Sequence, residues 1–113
     1  MSLTPLEIAK ACREYALDKK AVDPVILDLR EVSSLADYFV ICSGLSDPQI
    51  KAIANGVSMG FKEDHGLHAR VDGSAVSQWM ILDYGDVLMH IFHESKRGVY
   101  SLETLWGDAK VVE

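Results

Sequence analysis

A chain of 113 residues with 49% apolar and 25% charged side chains is sized and composed for one folded domain, 1–113, and lies far from the compositions of disordered or fibrous chains. The formal net charge of −6 repels phosphate, which disfavours a surface gripping nucleic acid directly and favours a basic protein as partner. No apolar run approaches the roughly 20 residues that cross a bilayer, and the N-terminus lacks the basic-then-apolar order of a signal peptide, so a cytoplasmic protein without membrane contact is expected.

Thr4-Pro5-Leu6-Glu7 predicts a helix start: Thr4 caps, Pro5 occupies the first helical position and Glu7 reaches back as in a capping box. Ile8, Ala11, Cys12, Tyr15 and Ala16 recur at helical spacing, giving one apolar stripe that runs to about Lys20. Val25 to Leu29, short and branched after Pro24, predicts a strand. The unbroken apolar run Tyr38 to Cys42, ending at Ser43-Gly44, predicts the central strand, covered on both faces. Ser46 and Gln49 repeat the capping logic ahead of Ile50, Ile53, Ala54, Val57 and Phe61, a second helix that stops near His65-Gly66. Gly56 and Gly60 are expected to loosen it by roughly 1 kcal/mol each against Ala unless close packing recovers the loss. Leu67 to Asp72 is a weaker strand candidate, and Gly73 to Ser77 a loop.

Trp79 to Tyr84 and Val87 to Phe92 are separated by Gly85-Asp86, and a Gly-first two-residue loop is what a type II′ hairpin turn demands. In that register Trp79 faces Phe92, Ile81 faces His90 and Asp83 faces Leu88, while Met80, Leu82, Tyr84, Val87, Met89 and Ile91 take the other side. Both sides are largely apolar, so both must be covered. Glu94 to Gly98 reads as a polar stretch, and Leu102, Leu105 and Trp106, with Gly107 as a stop, predict a short last helix. Strands mixed with helices in this order give an α/β fold with a mixed sheet of about five strands flanked by helices.

The chemistry on offer is sparse. Cys12 and Cys42 match no zinc or redox spacing and are expected to be buried free thiols. Asp83, Asp86 and His90 form the one close cluster that could hold a metal or move a proton, yet three ligands would converge only if the strand bent. An Asp–His hydrogen-bonded pair at the sheet margin is the expectation there. Ser43-Gly44-Leu45-Ser46 joins a strand to a helix N-terminus, a place that attracts anions. A nucleotide-binding or nucleotidyltransferase-like enzyme using this loop is the alternative reading, but no Asp-x-Asp pair is present to hold magnesium. No metal, cofactor or catalytic residue is expected. Aromatic residues gather around the hairpin and tail, where Trp and Tyr are favoured both in cores and as interface anchors.

Asp37 to Gly44, Gln49 to Ala54, Trp79 to Val87 with His90 and Phe92, and Tyr100 to Trp106 resemble successive blocks of the Iojap, or ribosomal silencing factor, family. The resemblance runs from the first helix to Trp106 and is most specific in Asp-Tyr-Gly-Asp-Val-x-x-His-x-Phe together with Leu-Glu-x-Leu-Trp. It implies a mixed sheet related in topology to nucleotidyltransferases but without their active site. It further implies binding to large-subunit ribosomal protein fourteen, a steric block on joining of the subunits that represses translation when nutrients fall, and homodimers of the isolated protein. Leu45, where a small polar residue is commoner in the family, Pro48 and the Gly56 and Gly60 pair are the departures. The expected binding surface is the hairpin and tail: Trp79, Asp83, Tyr84, Asp86, His90, Arg97, Tyr100, Leu102 and Trp106. Tyr84, Leu102 and Trp106 would supply apolar contact there, and Asp83 and Asp86 would meet basic groups.

Overall fold

The computed structural model describes residues 3–100 and 107–112, with the side chains of 99 and 100 left aside. In chain order the elements are α1 (Pro5–Asp18), β1 (Val22–Asp28), β2 (Tyr38–Gly44), α2 (Asp47–His65), β3 (Arg70–Ser74), β4 (Trp79–Asp83), β5 (Val87–His93), α3 (Glu94–Tyr100) and β6 (Lys110–Val112). The described strands form one six-stranded sheet in the order β3-β4-β5-β2-β1-β6. β2 and β5 run parallel and every other pair is antiparallel, so the sheet is mixed, with one strand more than the sequence suggests.

Local chemistry sets the helix ends as expected. The Thr4 hydroxyl accepts from the Glu7 N–H at 3.2 Å while the Glu7 carboxylate accepts from the Thr4 N–H at 2.9 Å, closing the capping box. Ser46 caps α2 by accepting from the Gln49 N–H at 3.2 Å, and Pro48 fits inside the first turn, where no intrahelical donor is needed. Gly66, at φ 63°, closes α2 in the left-handed conformation.

α2 is not loosened by its glycines: it continues unbroken through both. A Cβ on Gly60 would come within 2.7 Å of the Tyr15 ring, and one on Gly56 equally close to the Lys19 stem. The missing side chains let α1 lie against α2, and that packing recovers the propensity loss.

Alternation along the strands divides the core in two. Tyr38, Val40 and Cys42 of β2, Leu82 of β4, and Val87, Met89 and Ile91 of β5 join Ile8, Cys12, Ile53, Val57 and Phe61 under the two long helices. Leu27, Leu29, Phe39, Ile41 and Phe92 form a second cluster on the opposite face, flanked by Val25, Trp79, Leu88 and Ala109. All seven residues of β2 are buried, as a central strand requires. Both cysteines are free and buried, and burial pushes their thiol pKa values up, so neither is a poised nucleophile.

Three elements differ from expectation. β1 starts at Val22, with an irregularity between Val22 and Val25 where Pro24, lacking an N–H, could not extend a regular ladder. The supposed polar stretch after β5 is the helix α3. β3 lies at Arg70–Ser74, starting three and ending two residues further on than Leu67 to Asp72, and Gly73, at φ 76°, still pairs with Met80. The last helix expected over Leu102 to Trp106 lies outside the described residues.

Candidate docking face of the hairpin

The hairpin forms in the expected register: Trp79 pairs with Phe92, Ile81 with His90 and Asp83 with Leu88. Gly85 at φ 87°, with Tyr84 N–H donating to the Val87 carbonyl at 2.9 Å, gives the tight two-residue turn that needs glycine first. Asp83 reinforces it by accepting from the Gly85 N–H at 2.7 Å.

Parity along β4 and β5 then decides which side chains can be touched. On the face away from α1 and α2, Trp79, Ile81, Asp83 and Leu88 are half-buried and Asp86 at the turn is exposed. They make an apolar strip with carboxylates at one end, and Trp79 and Leu88 pack against the second core cluster. Trp79 is held firmly: its ring lies 5.0 Å from that of Phe92, and its indole N–H donates to His90 Nδ1 at 3.2 Å. Because Nδ1 accepts, the neutral imidazole carries its proton on Nε2, which is buried and has no hydrogen-bond partner. Burial lowers the His90 pKa to about 4, so the ring is neutral at physiological pH.

Four expected contacts need correcting. Tyr84 does not face outward: its odd neighbours in β4 do, and its own side chain turns under α2 against Phe61, ring centroids 4.5 Å apart, at 9% exposure. His90 is 4% exposed between Phe39 and Trp79, so it supports the face from beneath. The Asp83–His90 pair does not form, since Asp83 is engaged by the turn and His90 by the indole. Arg97 is turned inward, donating to the Val22 carbonyl at 3.1 Å and the Ser43 hydroxyl at 3.2 Å, and ties α3 to the ends of β1 and β2. The Tyr100 side chain, Leu102 and Trp106 lie outside the described residues. Ile81 and Leu88 were absent from the expected contacts although the hairpin register already placed both on the same face as Trp79.

Among the described residues no three His, Cys, Asp or Glu side chains gather as a metal site, and no helix is long and apolar enough to cross a membrane. The strand-to-helix loop is tied to its own chain: the Leu45 N–H donates to Gln49 at 2.6 Å, the Gln49 N–H to Ser46, and the Ser43 hydroxyl accepts from Arg97.

A family model described as "Ribosomal silencing factor during starvation" matches residues 2–113. The chain belongs to the ribosomal silencing factor family. It is 42% identical to the ribosomal silencing factor RsfS of Halalkalibacterium halodurans, covering 85% of this chain and 82% of that one. Against the RsfS of Bacillus subtilis the identity is 40%, over 96% of this chain and 89% of that one. Among solved structures, a protein from Chromobacterium violaceum superposes with a TM-score of 0.87 at 33% identity, covering 93% of this chain and 88% of that chain. The family's mixed sheet and flanking helices are therefore those found here, and its members carry the name of a translational regulator and not of an enzyme.

Proposed function

We propose that this protein silences translation by docking the open face of its hairpin onto a basic protein of the large ribosomal subunit, where its bulk keeps the small subunit from joining. On this reading the partner is large-subunit ribosomal protein fourteen, as the family resemblance implies. The observation that carries the reading is the strip Trp79, Ile81, Asp83 and Leu88, half-buried in the monomer and edged by Asp86, in a chain whose relatives are named ribosomal silencing factors.

Its chemistry fits the assignment. An indole held in one orientation is a low-entropy anchor, Ile81 and Leu88 add apolar area, and the carboxylates complement a basic surface. The acidic net charge of −6 leaves direct contact with ribosomal RNA a minor part of binding. The working location is the cytoplasm, where subunits join, and the act is steric, requiring no cofactor.

Co-sedimentation with purified large subunits tests this, alongside capture of isolated protein fourteen. Ile81→Arg combined with Leu88→Arg should keep the circular dichroism of the parent, because both positions are half-open, and should lose association at least about tenfold, equivalent to roughly 1.4 kcal/mol. Subunit joining in the presence of that variant should proceed as though no factor were added. Undiminished binding by a folded double variant would remove the proposed surface.

A further inference from the structure

His90 is a polar residue where an apolar one would pack. Its ring centroid lies 4.6 Å from that of Phe39 and 6.2 Å from that of Phe92, and its buried Nε2 has no hydrogen-bond partner. An unpaired N–H in such a place destabilises the fold, and leucine or phenylalanine would not carry that burden. What the imidazole supplies, and those residues cannot, is an acceptor: Nδ1 takes the Trp79 indole N–H at 3.2 Å.

That bond fixes which edge of the indole points outward. The N–H is the side chain's only polar group, and it is directed back onto the sheet while the ring rests 5.0 Å from that of Phe92. What the half-buried Trp79 offers to another molecule is therefore carbon. With no acceptor beneath it, the N–H would turn toward water to find one, and the ring would swing with it.

We propose that His90 is a positioning residue for docking: by holding the indole N–H inward it makes Trp79 a wholly apolar anchor, matched to an apolar pocket on the partner and not to a carbonyl or carboxylate acceptor. This role rests on the docking surface proposed above and assigns the chemistry of its central contact. If His90 served the fold alone, replacing it would change binding only as far as it changed stability.

A double-mutant cycle of His90→Leu and Trp79→Phe, read as association of the full chain with purified large subunits, separates the two roles. His90→Leu should keep the parent's circular dichroism and its resistance to urea at neutral pH, yet weaken association about fivefold or more. Trp79→Phe keeps a ring against Phe92, so its binding should be weaker but measurable. In that background no indole N–H remains to be held, and adding His90→Leu should change association by less than about twofold. His90→Asn, whose Oδ1 can accept in place of Nδ1, should recover most of the loss. In the isolated protein, the indole proton missing from the magnetic resonance spectrum of Trp79→Phe should exchange with solvent more slowly in the parent than in His90→Leu. An equal loss from His90→Leu in both backgrounds, or an indole proton that exchanges equally fast in both proteins, would overturn the proposal. Undiminished binding by His90→Leu while Ile81→Arg with Leu88→Arg abolishes it would sink the positioning role alone, whereas binding retained by both would sink the docking surface itself.

Discussion

His90 and Tyr84 each place a polar atom in the interior without a hydrogen bond, the imidazole Nε2 and the phenol oxygen. Such atoms destabilise the fold by about 1–3 kcal/mol apiece, so residues lacking them should be tolerated. Tyr84→Phe is expected to match or exceed the parent in urea unfolding, whereas Tyr84→Ala, emptying a site beside Phe61, should lose about 3–5 kcal/mol. His90 also makes stability depend on pH. Its folded pKa of about 4 lies below the ordinary 6.5, so the unfolded chain takes up this proton first as acid is added. The stabilisation is complete above pH 6.5 and falls steadily towards pH 4, by about 3 kcal/mol at most. His90→Phe should remove that part of the slope, measured as the difference between the two proteins' unfolding free energies at neutral and mildly acid pH. An unchanged difference would mean the imidazole is not buried as described.

At the level of elements, the crossing of α1 and α2 is where packing and propensity compete. Gly60→Ala gains roughly 1 kcal/mol of helix propensity, but its methyl would press within 2.7 Å of Tyr15. The ring has little room to yield, being held by Asp64 through its hydroxyl at 2.6 Å and by the edge of Phe61. A net loss of about 1–3 kcal/mol is expected from overpacking, and a Tyr15→Leu background should turn the same substitution neutral or favourable. Thermal unfolding of the four proteins in that cycle reads the coupling.

The same contrast explains what could be read from the chain. Capping residues, the Tyr38 to Gly44 run and the Gly85 turn act over a few neighbours, so α1, α2, the central strand and the hairpin register were legible. The fates of Gly56 and Gly60 depended on α1 lying across α2, a contact between distant segments. The short edge strand β6, Lys110–Val112, exists by pairing with Val112 opposite Ile26, and three residues carry no periodicity of their own.

For the whole molecule, the proposed docking face was half legible. Strand parity separates Trp79, Ile81 and Asp83 from Met80 and Leu82 before any coordinates are known, but it does not say which side the long helices cover. Tyr84 and His90 were therefore grouped with surface residues by chemistry, when only the placement of α2 and the neighbouring rings reveals that both are enclosed. What remains outside is acidic, and an acidic body approaching a basic protein is steered before it touches. Asp83→Lys with Asp86→Lys changes the formal charge from −6 to about −2, by two reversals of sign. It leaves Trp79, Ile81 and Leu88 in place. The association rate with large subunits should drop several-fold at low salt, with a smaller change in dissociation rate, and the gap between parent and variant should narrow as the Debye length shrinks towards about 8 Å at physiological ionic strength. Stopped-flow measurement over a salt series distinguishes this from a contact role. If the carboxylates act chiefly by touching the partner, the dissociation rate will carry the loss and added salt will leave most of it in place.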